Sequence, residues 1–138
     1  MSEPAACLSL VTLGVSDLAK STAFYEALGF RRKSRGADGV AFFAAGGVIL
    51  SLWPTAELAK DAEIESANSG GFRGMSLASN CTSASEVDRA LARAIGAGAT
   101  LIRSARNVFW GGYTAYFADP DGHPQFPFSA AGRLLLPD

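Results

Sequence analysis

Apolar positions along this chain fall into two matching series. In the first, the run from Leu8 to Gly14 predicts a strand, and Ser16-Asp17 supplies a side-chain oxygen to start a helix. Leu18, Thr22, Tyr25 and Leu28 recur at helical spacing as its inward face, and Gly29 marks the stop. Three more strands are expected at about 30–35, 40–45 and 48–53, with Asp38-Gly39 and Gly46-Gly47 as hairpin signals between them. The second series opens with a strand from Arg73 to Ser79 and continues with Ser83-Ala-Ser-Glu86, a capping box. Val87, Leu91, Ala94 and Ile95 form the stripe of that helix, which stops near Gly96 and Gly98. Strands at about 100–106, 113–119 and 125–130 complete it.

The order strand, helix, three strands therefore occurs twice, which predicts an α+β fold of two tandem βαβββ modules. Module one covers about residues 8–53 and module two about 72–130, within a single domain of 138 residues. Between them lie a short helix from Thr55 to about Ile64 and a Ser/Asn/Gly stretch from Ser66 to Gly71.

Composition narrows the function classes. The chain is 49% hydrophobic and 18% charged, which suits a packed domain. Twelve basic residues face 13 acidic ones, and no basic run exceeds Arg31-Arg32-Lys33, so nucleic acid is not an expected partner. The uncharged stretch from Gly39 to Glu57 is broken by Gly46-Gly47 and Pro54, so a membrane span is not expected either. The opening Met-Ser-Glu-Pro has no basic region of a secretory signal. Two cysteines, Cys7 and Cys81, make no disulfide framework; free thiols in a reducing cytoplasm are the expectation.

The last hairpin carries the sharpest signal. Thr114 and Tyr116 alternate on one face of a strand, and Phe126 and Phe128 on one face of the next. Between them Asp119-Pro120-Asp121-Gly122 supplies an Asx acceptor, a proline and a glycine for a tight turn. This segment resembles the terminal hairpin of vicinal-oxygen-chelate proteins, the superfamily of glyoxalase I, extradiol dioxygenases and fosfomycin and bleomycin resistance proteins. Leu13-Gly-Val-Ser-Asp-Leu and Phe24-Tyr25-Glu26-Ala-Leu-Gly29-Phe30 extend the resemblance into the first half. The resemblance implies that the modules pair into a cup-shaped mixed sheet, with helices on the convex side and a ligand on the concave one. It also implies a homodimer, and the apolar tail Leu134-Leu135-Leu136 gives a second reason to expect one.

Metal-dependent members of that superfamily take ligands from the first and last strand of each half. Carried over, these positions fall on Leu10, Leu50, Gly74 (or its neighbours Phe72 and Ser76) and Phe126. Phe126 stands four residues after the turn glycine, where the metalloenzymes have a Glu. None of the four side chains is an ordinary donor to a divalent cation, and the chain has one histidine. No metal, no other cofactor and no catalytic residue is therefore expected. His123 is read as a turn or rim residue, Asp119 and Asp121 as turn formers, and Cys81 as a thiol without a partner base.

The inferred concave face comprises Leu10, Thr12, Leu50, Leu52, Ser76, Thr114, Tyr116, Phe126 and Phe128, with Arg106 and Trp110 at its mouth. Such a surface suits a small apolar or planar aromatic molecule, with Trp110 stacking and Arg106 meeting an anionic group or a ring. The leading expectation is a metal-free protein that binds or sequesters such molecules. An enzyme without an ordinary metal site, using Tyr116 and Arg106, and an interaction module with a filled cup are the alternatives.

Overall fold

Asp17 and Gly29 bound the first helix as their chemistry requires. In a computed structural model, which describes residues 5–33, 38–65 and 71–129, the Asp17 carboxylate accepts the Lys20 backbone N–H at 3.0 Å. Gly29 adopts φ 105°, a left-handed conformation costly for any residue with a Cβ, and ends the helix. Ser83 caps the later helix by accepting from the Glu86 N–H at 3.2 Å. The Glu86 carboxylate reaches back to the Thr82 N–H at 3.0 Å, one residue before the position that a strict capping box would use.

The first unit runs β1 (Leu10–Val15), α1 (Leu18–Leu28), β2 (Arg31–Arg32), β3 (Ala41–Ala45), β4 (Val48–Pro54) and α2 (Thr55–Ala62). The second runs β5 (Leu77–Asn80), α3 (Ala84–Gly96), β6 (Thr100–Asn107), β7 (Tyr113–Ala118) and β8 (Pro124–Ser129). Each unit forms a four-stranded mixed sheet, in the order β1-β4-β3-β2 and β5-β8-β7-β6. The first strand of each runs parallel to the last, and the other pairings are antiparallel. This is the α+β architecture of tandem βαβββ modules. Among the described residues no helix is long and apolar enough to cross a membrane.

β5 begins at Leu77 rather than Arg73, because Gly74 takes a left-handed φ of 79° and interrupts the extended run. The stretch Ser66 to Gly70 and the tail Leu134-Leu135-Leu136 lie outside the described residues.

In unit one the core forms between α1 and one sheet face. Tyr25 packs on Phe43 with centroids 6.2 Å apart, and Phe43 stands opposite Leu50 in the ladder. Leu50 and Leu52 therefore point toward α1, together with Leu13 and Val15. In unit two, α3 lies against β6, β7 and β8 and buries Val87 and Ala94. The Tyr113 hydroxyl donates to the Asp88 carboxylate at 2.8 Å, which marks the α3 side of the sheet and pushes the Tyr113 pKa up.

Candidate functional site

With the α3 side of unit two marked by Tyr113, strand alternation puts its neighbour Thr114 on the opposite face. Thr114 pairs with Phe128, and the same register sets Tyr116 against Phe126. The face turned away from α3 thus carries an aromatic strip across β7 and β8. Its ring centroids lie 4.9 Å apart for Tyr116–Phe126 and 5.7 Å for Phe126–Phe128. Phe128 is buried, while Tyr116 and Phe126 each keep part of their surface exposed.

Trp110 extends the strip from the β6–β7 connection and meets Phe128 edge-on, with centroids 6.4 Å apart. Two backbone bonds shape that connection: the Val108 N–H donates to the Gly112 carbonyl at 2.8 Å, and the Gly111 N–H to the Val108 carbonyl at 3.0 Å. The indole folds back over Gly112, where no side chain would fit beneath it. Phe109, next in the same turn, is wholly exposed.

Arg103 closes the other end. Its guanidinium carbon sits 5.2 Å from the Tyr116 ring centroid, a cation–π contact worth about 0.5–2 kcal/mol. Nη1 donates to the Thr114 carbonyl at 3.2 Å and Nη2 to the Thr114 hydroxyl, so the side chain is fixed across the β6–β7 ladder. Arg106 stands opposite Thr114 on the same face and is exposed.

The site residues expected from sequence divide accordingly. Trp110, Thr114, Tyr116, Phe126 and Phe128 come together, and Arg106 lies beside them in the ladder. Ser76 precedes β5, is exposed, and belongs to no strand. Leu10 and Thr12 pair with Ile49 and Ser51 on the face of unit one turned away from α1. Leu50 and Leu52 are corrected: they lie on the α1 side, with 4% and 0% of their surface exposed, as core residues rather than ligand contacts. Arg103, absent from the expected set, is the best-anchored cation of the face.

The same register tests whether either unit suits a divalent metal. Away from α1, β1 and β4 present Leu10, Thr12, Ile49 and Ser51, so the position carried over to Leu50 belongs to Ile49 or Ser51. Away from α3, β5 and β8 present Ala78, Asn80, Phe126 and Phe128, so the position carried over to Gly74 belongs to β5. None of these side chains is an imidazole, thiol or carboxylate. Such a donor set does not fit a divalent cation on either of these two strand faces. Among the described residues no three His, Cys, Asp or Glu side chains cluster.

The remaining candidates belong to the turn. The Asp119 carboxylate accepts the N–H groups of Asp121 and His123, each at 2.9 Å. His123 Nδ1 lies 3.2 Å from Arg73 Nη2, which has only protons to give, so this ring nitrogen is the acceptor. Cys81 is partly buried; that burial, and then the nearby Glu86 carboxylate, push its thiol pKa up, opposite to what a nucleophile needs.

Comparison with known proteins agrees with this fold. Residues 8–124 match the family model of the glyoxalase/bleomycin resistance protein/dioxygenase superfamily. A glyoxalase-related enzyme from Fulvimarina pelagi is 31% identical with a TM-score of 0.80, over 89% of this chain and 87% of its own. A glyoxalase/bleomycin resistance protein/dioxygenase family enzyme from Burkholderia phytofirmans PsJN is 22% identical with a TM-score of 0.82, over 91% and 99%. A lactoylglutathione lyase from Agrobacterium tumefaciens is 20% identical with a TM-score of 0.70, over 98% and 100%. No curated protein matches the chain in sequence.

Proposed function

The chain belongs to the glyoxalase/bleomycin resistance protein/dioxygenase superfamily, and on that premise we propose that it binds and sequesters planar aromatic molecules without a metal. The observation that carries this reading is the run of rings from Tyr116 through Phe126 and Phe128 to Trp110 on the face away from α3. Rings in such a row offer π-faces and edges to a flat guest, and burial of apolar area supplies about 25 cal/mol per Å². The donor set described above, which lacks imidazole and carboxylate, supports a role that needs no Lewis acid.

Thermal shift against a panel of planar aromatic compounds tests the proposal. Stabilisation of the native protein by some of them, lost in Phe126→Ala, is the expected result. A panel that stabilises neither protein contradicts it.

A second reading, an enzyme of the superfamily working without an ordinary metal site, is favoured by one observation. The Arg103 guanidinium and the Tyr116 ring share one face, where a fixed cation would stabilise developing negative charge. Turnover of glyoxal adducts or epoxides by chelator-treated protein would favour it over sequestration.

A further inference from the structure

The aromatic strip ends at a guanidinium whose hydrogen-bonding capacity is only partly used. Arg103 Nη1 donates to the carbonyls of Ser104 at 3.1 Å and Thr114 at 3.2 Å, and Nη2 donates to the Thr114 hydroxyl. Nη1 and Nη2 thus both turn to Thr114, and these bonds use no Nε proton and one of the two on Nη2. The adjacent edge, made of Nε–H and the other Nη2 proton, has no acceptor among the described residues. That edge has the two-pronged geometry that matches a carboxylate.

The charge on Arg103 is likewise unanswered. Its partners among the described residues are two carbonyls, one hydroxyl and one aromatic face, all neutral. Arg106 adds a second positive charge to the same face of β6. Arg103 is partly buried, so water screens its charge less than that of a surface arginine.

Resting on the binding role proposed above, we propose that the ligands are planar aromatic carboxylates. The ring lies along Tyr116 and Phe126, and the acid group takes the open edge of Arg103. Arg106 strengthens the local positive potential and draws anionic over neutral aromatics.

Calorimetric titration of the full chain with naphthoate and with naphthalenemethanol, its uncharged counterpart, tests the assignment. Naphthoate is expected to bind about tenfold to a hundredfold more tightly, the usual value of a charged hydrogen bond. Arg103→Gln is expected to weaken naphthoate far more than the alcohol, so that the difference between them falls to about twofold or less, while Arg103→Lys retains part of it. Equal affinity of the native protein for both probes overturns the carboxylate assignment and leaves aromatic binding standing. Binding of neither probe overturns both readings. A preference that survives in Arg103→Gln overturns the role of Arg103. Should that variant fail to fold, salt titration of the native protein decides: naphthoate affinity must fall with salt while the alcohol's stays constant, and matching responses overturn the assignment.

Discussion

Trp110 lies so close over Gly112 that a Cβ at that glycine would sit 2.3 Å from the indole carbon Cζ3. The absence of a side chain at Gly112 is what allows the indole to reach Phe128. Gly112→Ala is therefore expected to expel the ring, at a cost of about 1–3 kcal/mol for overpacking if the turn resists. With the chain's one other tryptophan replaced as Trp53→Phe, the emission of Trp110 should shift to the red, and affinity for planar aromatics should fall. Unchanged emission would mean that the indole does not occupy this place.

Leu52 and Phe126 should respond in opposite ways. Leu52→Ala empties a fully buried position beneath α1 and is expected to cost about 2–5 kcal/mol in chemical denaturation. Folded Leu52→Ala protein should bind aromatic probes as the native protein does. Phe126→Ala should cost less stability, since Phe126 is partly exposed, and should lose binding.

The two residues differ in how far strand alternation alone gives the sheet face on which each lies. The helix starts, the turns and the strand order were legible because Asp17, Gly29, Ser83 and the Asp119–Gly122 turn each have a local chemical reason. The face assignment of β4 was not legible, since Leu50, Ser51 and Leu52 are all buried and no alternation remains to count. Only the ladder with β1, which pairs Leu10 with Ile49, fixes that parity. Arg103 was hidden by irregular pairing in β6. It stands three residues from Arg106, an odd step that normally changes face, yet a register shift between them sets both against Thr114 and Tyr116, residues of one face. In β7 and β8 no such shift occurs, and Thr114, Tyr116, Phe126 and Phe128 were placed by alternation alone.

Asp119 is expected to be a structural residue. Asp119→Ala leaves the Asp121 and His123 N–H groups without their acceptor and should cost about 1–3 kcal/mol. Asp119→Asn keeps a side-chain oxygen and should restore most of that loss in a thermal melt. A large binding defect in folded Asp119→Asn would instead assign the carboxylate a role in the site.

The two cysteines should label at different rates. Cys7 is exposed, whereas the Cys81 pKa is raised above its ordinary 9.0, first by burial and then by the Glu86 carboxylate. Alkylation near neutral pH should modify Cys7 first, and Cys81 should react appreciably only in more alkaline solution, as read by mass spectrometry of the digested protein. The sign for stability follows. A folded-state pKa above the unfolded one contributes stability that is present below about 9.0 and fades as pH rises through the folded value.

Occupation of the face opposite α3 is most directly measured by isotope labelling of aromatic rings and leucine methyls and NMR during titration with naphthoate. Saturable ring-current shifts at Tyr116, Phe126, Phe128 and Trp110, with the Leu52 methyls unmoved, are the predicted result. Saturable binding that perturbs other residues and leaves these four rings unchanged would contradict the account.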